Sequence, residues 1–332
     1  MRVLVSEHLA EEGLERLRET CQVDYRPEMT QEELLAAIGE YDALVVRSRT
    51  QVTREVIGAA RKLRIVGRAG VGVNNIDLEA ATARGIVVVN VPDGNTIAAC
   101  EHTLALMLAL ARNVPAAAQS LAAGRWERQK FTGVELYGKT LGVVGFGRIG
   151  SEVARRALAF GMRVVAHDPY ASPEQAEKLG VRLAGLEEVL READFLTIHT
   201  PLTPQTRNLI GARELALMKR GARLVNCARG GIVNEQALYE ALRSGRLAGA
   251  ALDVFEKEPP PPDHPLLGLP NVLATPHLGA STVEAQVTCS LEVAEQVARY
   301  LAGLPVRNAV NLPAVPEEEW KLVQPLLPLA EI

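Results

Sequence analysis

A glycine-rich turn near the middle of the chain constrains the fold more than any other feature. The segment Gly145-Phe146-Gly147-Arg148-Ile149-Gly150 follows the apolar run 141–144 and precedes a predicted helix at residues 151–160. Asp168 ends the next predicted strand. Glycines at this spacing permit a tight turn, close approach of the backbone to a pyrophosphate, and close packing of helix on strand. The order strand, turn, helix, strand and acid therefore predicts a parallel βαβ unit that binds a dinucleotide.

The residues around this turn also indicate which dinucleotide is bound. The N-terminus of the following helix directs backbone N–H groups and a positive dipole end towards the phosphates. Asp168, 18 residues after Gly150, is suited to accept hydrogen bonds from the adenosine ribose and to repel a 2′-phosphate. A glycine-rich βα turn without a ligand is the alternative. The full context favours a cofactor, and Asp168 favours NAD over NADP.

Short β-branched runs alternate with helical stretches along the rest of the chain. Thr30 with Glu33, and Ser281 with Glu284, form predicted capping boxes. Helix 98–112 is apolar on nearly every side, which predicts burial all round, between domains or at a subunit contact. Apolar strands that alternate with helices predict parallel sheets covered on both faces. The predicted strands are 2–6, 21–25, 43–46, 63–67, 86–91, 140–144, 163–167, 195–199, 223–227, 249–254 and 271–275, and the main helices are 9–20, 30–38, 54–60, 78–84, 98–112, 151–160, 211–218, 234–243 and 281–302.

Composition excludes several classes of function. A length of 332 residues fits about two domains. With 36 basic and 40 acidic residues, the chain has no positive field to favour nucleic acid or an anionic membrane. Its four scattered cysteines lack the spacing of zinc ligands and indicate a reducing cytoplasm. We expect no signal peptide and no membrane span, because the apolar runs are too short.

Five segments carry a resemblance to a known family. They are 67–77, 145–150, 225–233, 250–255 and 275–282. In this order they resemble the D-isomer-specific 2-hydroxyacid dehydrogenases over most of the chain. The resemblance implies an α/β fold of two doubly wound parallel-sheet domains, with a Rossmann NAD domain inserted into a flavodoxin-like substrate domain. It assigns 96–283 to the NAD domain and 1–95 with 284–332 to the substrate domain, and it implies a homodimer or a higher homo-oligomer.

The chemistry of such an enzyme explains three residue types. Oxidation of a secondary alcohol sends a proton to a base, which near neutral pH is most simply a histidine. His277 follows the strand 271–275 at the sheet edge where ligands bind. A carboxylate such as Glu258 fixes the histidine tautomer, and Arg229 offers a planar fork for a carboxylate or carbonyl. The resemblance implies that these three residues are catalytic; taken singly, each is more typical of a structural role.

The resemblance also implies cofactor contacts. Asp253 is expected to meet the nicotinamide carboxamide, and Cys227 to have a positional rather than a nucleophilic role. His102, His167 and His199 are interpreted as structural. The implied cofactor positions are Val71, Gly145, Gly147, Arg148, Ile149, Gly150, Asp168, Thr200, Cys227, Ala228, Arg229, Asp253, His277, Leu278, Gly279 and Ala280.

Arginine clusters bear on the substrate. The pieces Trp126-Glu127-Arg128 and 131–136 resemble the branch of the family that acts on D-3-phosphoglycerate. The alternative to a substrate site is that these arginines lie on a solvent-exposed face of the protein. The resemblance implies NAD-dependent oxidation of this phosphorylated 2-hydroxy acid to 3-phosphohydroxypyruvate, the first step of serine biosynthesis. The expected substrate positions are Arg47, Arg68, Gly70, Val71, Gly72, Arg128, Arg229 and His277.

Two other functions stay open from the sequence. One is a different reaction of the same family, such as glyoxylate or hydroxypyruvate reduction. The other is a non-catalytic NAD sensor that resembles the C-terminal-binding-protein corepressors, against which the set Arg229, Glu258 and His277 argues. Residues 320–332 resemble the lead-in to an extension of longer members, so the chain is a short form or part of a longer enzyme. We expect feedback by serine to be absent from this chain.

Overall fold

The computed structural model describes residues 1–313, which form two compact units. The first unit comprises Met1–Asn95 and the described chain from Ser281 onward, and the second comprises Thr96–Ala280. The predicted resemblance of 320–332 to a longer enzyme falls outside the described residues.

The first unit contains a five-stranded parallel sheet. Its strands are β1 (Arg2–Val5), β2 (Gln22–Tyr25), β3 (Ala43–Val46), β4 (Ile65–Arg68) and β5 (Val87–Val89), in the order β2-β1-β3-β4-β5. The helices between them are α1 (Glu11–Arg18), α2 (Gln31–Ala37), α3 (Arg54–Ala59) and α4 (Leu78–Ala83). This is the flavodoxin-like strand order. Apolar side chains on both faces of the sheet are buried, as the continuous apolar runs predict.

The second unit contains a seven-stranded parallel sheet. Its helices are α5 (Thr96–Arg112), α6 (Val114–Ala122), α7 (Arg148–Ala159), α8 (Pro173–Leu179), α9 (Leu186–Glu192), α10 (Ala212–Leu217) and α11 (Glu235–Arg243). Its strands are β6 (Thr140–Val144), β7 (Arg163–His167), β8 (Arg182–Leu183), β9 (Phe195–Ile198), β10 (Arg223–Asn226), β11 (Gly249–Leu252) and β12 (Val272–Ala274). The order β12-β11-β10-β9-β6-β7-β8 is the Rossmann order with one additional strand. The predicted fold class, two doubly wound parallel sheets, is confirmed.

Helix α12 (Val283–Leu301) returns to the first unit, where it packs against α1 and β4. The prediction that Ser281 caps this helix is wrong. Thr282 is the N-cap, because its backbone is extended (φ −119°, ψ 154°) and its Oγ1 accepts a hydrogen bond from the Ala285 N–H at 3.1 Å. The predicted capping box of Thr30 and Glu33 on α2 is confirmed.

Helix α5 packs against α7, β10 and β11 in the second unit. Within this chain, Ile97, Glu101 and Ala105 form an exposed stripe on α5 at a spacing of four residues. The predicted burial of this helix at a domain or subunit contact stays a prediction. No single helix among the described residues is long and apolar enough to cross a membrane; α5 and α6 pass that test only as a pair, by length and composition, and are bent by 63°.

Candidate active site

The glycine turn between β6 and α7 leaves no room for side chains at two of its positions. Gly145 has a φ of 94°, and a Cβ on it would lie 2.6 Å from the carbonyl carbon of His199. A Cβ on Gly150 would lie 2.1 Å from the carbonyl oxygen of Gly145. At Gly147 an added Cβ would meet no atom within 4 Å. The turn is therefore closely packed on its inner side and open at Gly147, as a pyrophosphate site requires.

Asp168 joins the ends of β6 and β7. Its Oδ2 accepts a hydrogen bond from the Phe146 N–H at 2.8 Å, and its Oδ1 accepts one from the Tyr170 N–H at 2.8 Å. A carboxylate oxygen has more than one acceptor site, so each oxygen retains capacity for a hydroxyl group. The acid predicted from the sequence thus lies beside the glycine turn.

Two observations test whether these residues fit a dinucleotide. The N-terminus of α7 has Gly147 as its N-cap and no side-chain hydrogen bond that caps it, which fits an anion site at a helix N-terminus. Thr200 follows β9 beside Gly145, and its buried Oγ1 has no hydrogen-bond partner among the described residues. A buried hydroxyl without a partner is uncommon and favours a bound polar group. The residues present fit the cofactor.

His277 and Glu258 form a close pair beyond the ends of β12 and β11. Nδ1 of His277 lies 2.6 Å from Oε2 of Glu258, whose Oε1 accepts a hydrogen bond from the Phe255 N–H at 3.0 Å. Burial raises the pKa of Glu258, but the hydrogen bonds from His277 and Phe255 and the attraction of His277 and Arg229 outweigh it and hold that pKa below its ordinary value. Nε2 of His277 has no protein partner within residues 1–313, and 47% of the side chain is exposed. This nitrogen is free to exchange a proton with a substrate.

Asp253 holds the backbone on either side of His277. Its Oδ1 accepts hydrogen bonds from the Leu278 N–H at 2.8 Å and the Thr275 hydroxyl at 2.6 Å, and its Oδ2 accepts one from the Gly279 N–H at 2.8 Å. Burial raises the pKa of Asp253, but hydrogen bonds from His102, Thr275 and Leu278 outweigh it and lower that pKa. The carboxylate is 0% exposed. Its predicted contact with the nicotinamide stays a prediction, and the structure gives it a second role in the loop of His277.

Arg229 lies on the loop after β10, and Asn226 fixes this loop. The Asn226 amide donates to the carbonyl of Arg229 at 3.0 Å and accepts from the Ala228 N–H at 3.0 Å. A Cβ on Gly230 would lie 1.9 Å from the carbonyl oxygen of Phe255, so the backbone of the loop of Arg229 touches that of the loop of Glu258. Burial lowers the pKa of Arg229, and the charge of Glu258 opposes this change. The structure thus brings Arg229, Glu258 and His277 together at one edge of one sheet.

Cys227 precedes this loop and is not suited to nucleophilic chemistry. Burial is the main cause that raises the pKa of its thiol to about 12, although a hydrogen bond with Thr103 opposes the change. The thiol therefore stays protonated near neutral pH, whereas a nucleophilic cysteine reacts as the thiolate.

In the first unit, Glu7 and Asn75 shape the loop that carries Arg47. The carboxylate of Glu7 accepts hydrogen bonds from the N–H groups of Arg47 at 2.9 Å, Arg49 at 3.1 Å and Thr50 at 2.8 Å. The Asn75 amide donates to the carbonyls of Arg47 at 2.9 Å and Thr50 at 2.7 Å. The loop after β3 is thus held on both sides.

Arg68 ends β4, the neighbour of β3, and folds over Gly70. Gly70 has a φ of 148°, and a Cβ on it would lie 1.6 Å from Nη1 of Arg68. The following residue, Val71, accepts a hydrogen bond from the Asn90 amide at 2.7 Å. The predicted substrate positions Arg47, Arg68 and 70–72 therefore share one sheet edge. Arg128 lies in the second unit, exposed, on the one-turn 3-10 helix Arg128–Phe131.

Comparison with known proteins identifies the family. Residues 104–279 match the model of the D-isomer specific 2-hydroxyacid dehydrogenase, NAD binding domain. The chain belongs to the D-isomer specific 2-hydroxyacid dehydrogenases. It is 53% identical over 333 residues to D-3-phosphoglycerate dehydrogenase of Methanocaldococcus jannaschii and 52% identical over 332 residues to that of Archaeoglobus fulgidus. The match takes in 100% of this chain but 63% of each relative, so the chain spans less than two thirds of their length.

Solved structures show the same relationship. The TT0316 protein from Thermus thermophilus is 42% identical, has a TM-score of 0.87, and matches over 93% of this chain and 100% of its own chain. A glyoxylate reductase from Paecilomyes thermophila is 32% identical, has a TM-score of 0.84, and matches over 93% of this chain and 98% of its own. The predicted family is confirmed.

The sequence alone does not point to several residues that shape the candidate site. Glu7, Asn75 and Thr275 were not singled out, and His102 was interpreted only as structural. Glu7 and Thr275 lie close to the carboxyl ends of strands, and His102 lies on α5. Their partners are distant in sequence: 40 residues separate Glu7 from Arg47, and 151 separate His102 from Asp253. The position of Glu7 directly after a predicted strand was the one signal available.

Proposed function

We propose that this chain carries the catalytic part of an NAD-dependent D-3-phosphoglycerate dehydrogenase. The reaction is oxidation of D-3-phosphoglycerate to 3-phosphohydroxypyruvate, the entry to serine biosynthesis. The observation that supports it best is the 2.6 Å pair of His277 and Glu258 beside Arg229, within a unit that matches an NAD-binding family. The substrate is supported by relatives of that name at 52–53% identity.

His277 moves the proton in this proposal. Nε2 accepts the proton of the substrate hydroxyl while the hydride leaves the same carbon, so that the C–O bond becomes a carbonyl. Glu258 accepts a hydrogen bond from Nδ1–H of His277 and stabilises the imidazolium that forms. Arg229 binds the carboxylate and polarises the oxygen that becomes the carbonyl. NAD, when bound, supplies the hydride acceptor.

The cofactor is proposed to be NAD rather than NADP. The N–H groups of Arg148, Ile149 and Gly150 would bind the pyrophosphate, and the Thr200 hydroxyl offers a further polar contact. Asp168 would accept hydrogen bonds from the ribose, and its negative charge would repel a 2′-phosphate. Ala228, Leu278, Gly279 and Ala280 remain proposed as further cofactor contacts on the loops of Arg229 and His277.

A phosphorylated substrate needs cations. Arg47 and Arg68 are proposed to bind the phosphoryl group with Arg128, and the backbone amides of 70–72 to bind the carboxylate. Arg47 has no ion-pair partner among the described residues, whereas its neighbour Arg49 pairs with Glu28 at 3.2 Å. Arg47 is therefore available to an anionic ligand.

Steady-state kinetics on 3-phosphohydroxypyruvate and on hydroxypyruvate test the substrate. Each charge-assisted contact to phosphate contributes about 1.5–3 kcal/mol, so several contacts predict a preference of more than about a hundredfold. Equal specificity constants would contradict the assignment. They would favour the second candidate, a glyoxylate or hydroxypyruvate reductase, which the likeness to the Paecilomyes enzyme supports.

The chain is also proposed to act in the cytoplasm as a homodimer or a higher homo-oligomer. Support for the cytoplasm comes from the four cysteines, all of which are free thiols. Support for self-association comes from exposed apolar side chains of the second unit, namely Val114, Leu121 and Trp126. Sedimentation that shows only monomers at micromolar concentration would contradict the oligomer.

A further inference from the structure

His102 reaches from helix α5 to the acid that holds the loop of His277. Its Nε2 lies 3.1 Å from Oδ1 of Asp253 and 3.2 Å from Oγ1 of Thr275. The Thr275 hydroxyl donates to the same Oδ1 at 2.6 Å, so the three groups form one network. The side chain of His102 is 19% exposed and the Asp253 carboxylate is 0% exposed. The network is thus shielded from solvent, where a lost hydrogen bond is costly.

The two ends of this network differ in rigidity. Helix α5 is fixed by buried side chains on both sides of His102, including Thr103, Leu106 and Met107. The segment 275–279 is irregular, and His277 has a φ of 56°, in the left-handed region that non-glycine residues rarely adopt. The backbone N–H of His277 donates to the carbonyl of Asp253 at 2.9 Å and to the carbonyl of Thr275 at 3.0 Å. Asp253 and Thr275 thus support this conformation through both side chain and backbone.

We propose that His102 is a positioning residue for proton transfer by His277. It acts through Asp253 and Thr275: it fixes the carboxylate that in turn binds the N–H groups of Leu278 and Gly279. Without this donor, Oδ1 of Asp253 keeps only local partners from the loop itself, and the loop loses its direct hydrogen bond to the rigid helix. His277 then samples orientations in which Nε2 is displaced from the substrate hydroxyl. The inference rests on the proposed dehydrogenase function.

Three variants of the full chain test this role. His102→Leu removes the donor at similar volume, and His102→Gln keeps an N–H near the position of Nε2. Glu101→Gln is the matched control, because Glu101 is the exposed neighbour on the same helix. We expect His102→Leu to lower kcat about tenfold, the effect of losing one hydrogen bond to a charged group. KM for the hydroxy acid and Kd for NADH should stay within about twofold, and His102→Gln should recover most of kcat.

Amide hydrogen exchange provides a readout that does not depend on activity. In His102→Leu, the Leu278 and Gly279 amides should exchange about tenfold faster than in the parent protein, while amides in β6 and β10 keep their protection. If the parent protein oxidises no 2-hydroxy acid, the proposed function fails and the role in proton transfer fails with it; faster exchange at these two amides would then show only that His102 holds the loop. Unchanged kcat and unchanged exchange in folded His102→Leu would overturn it, and so would a loss of kcat that His102→Gln does not restore.

Discussion

Nδ1 of His277 lies 2.6 Å from Oε2 of Glu258, and the other oxygen of the same carboxylate accepts the Phe255 N–H at 3.0 Å. The carboxylate is thus oriented by the backbone before it orients the imidazole. With Nδ1 engaged as the donor, the proton-free nitrogen of neutral His277 is Nε2, which faces away from the protein partner. One hydrogen bond therefore sets both the tautomer and the direction of proton transfer.

Replacing Glu258 with Gln tests this relationship. Glutamine keeps the size, and its oxygen can accept a hydrogen bond from Nδ1–H of His277. Its amide group then faces the Phe255 N–H, and it cannot stabilise an imidazolium by charge. We expect kcat to fall by about a hundredfold or more, the scale of general acid–base catalysis. NADH binding, measured by fluorescence titration, should stay within about threefold. A variant with near-parental kcat would show that the carboxylate charge is not needed.

The glycine turn predicts opposite outcomes at two positions. Gly150→Ala places a Cβ 2.1 Å from the Gly145 carbonyl oxygen, so the variant should lose about 1–3 kcal/mol of stability through overpacking. Gly147→Ala meets no atom within 4 Å, so the free energy of unfolding should stay nearly unchanged. Its Kd for NADH should nevertheless rise about tenfold, equal to about 1.4 kcal/mol, because the methyl group occupies the approach of the pyrophosphate. Urea unfolding and NADH titration separate the two effects, and tight NADH binding by Gly147→Ala would contradict the assignment.

Local backbone requirements explain what the sequence could predict. The strands Ala43–Val46, Thr140–Val144 and Arg163–His167 coincide with their predicted bounds, because buried parallel strands need continuous apolar runs. The glycine turn and Asp168 are predictable for a similar reason, because the tight turn and the acidic residue both lie within one βαβ unit and so close together in the sequence. Helix α7 began three residues earlier than expected, at Arg148, because the last glycine of the turn is already helical.

What the sequence could not predict depends on contacts between distant residues or on weak local signals. Helices α8 and α9 have seven residues each, too few for a clear apolar period. Helix α6 is rich in alanine and carries Pro115 in its first turn, so it lacks an amphipathic stripe. Glu7 and His102 looked ordinary because their partners come from other strands and loops. Only the folded chain shows that these residues hold the loops of Arg47 and His277.

Asp253 should make stability depend on pH. Its pKa in the folded protein lies below the ordinary value of 3.8, so the unfolded state binds the proton more tightly. The carboxylate therefore contributes stability above this value, and the contribution is lost as the pH falls below about 3.8 towards the folded-state pKa. Asp253→Asn should cost about 1–3 kcal/mol at pH 7, since the amide presents a donor where the loop already supplies donors. Urea unfolding at pH 7 and at about pH 3, below the ordinary value of 3.8, should show a smaller loss of stability on acidification for this variant than for the parent protein. An equal loss in both proteins would contradict the role of Asp253.

Asp168 should control the choice of dinucleotide. Asp168→Asn removes the negative charge and keeps one acceptor for the Phe146 N–H, which the parent carboxylate binds at 2.8 Å. The preference for NAD over NADP, taken as the ratio of specificity constants, should fall by about tenfold or more as repulsion of the 2′-phosphate is lost. Glu174→Gln on the neighbouring helix α8 is a control that keeps the turn intact. An unchanged ratio in Asp168→Asn would show that another group selects the cofactor.

Glu7 should affect substrate binding although it is buried beneath the loop of Arg47. Its carboxylate accepts backbone N–H groups from three residues of that loop, at 2.8–3.1 Å. Glu7→Gln puts an amide donor against one of these N–H groups, so the loop should loosen and Arg47 should lose its fixed direction. We expect KM for the phosphorylated substrate to rise about tenfold, with kcat and NADH affinity within about threefold. Arg49→Gln breaks only exposed contacts of the side chain, with Glu28 and the carbonyl of Pro27, and should leave KM within about twofold. If Glu7→Gln instead lowers kcat at constant KM, the loop after β3 does not bind the phosphate.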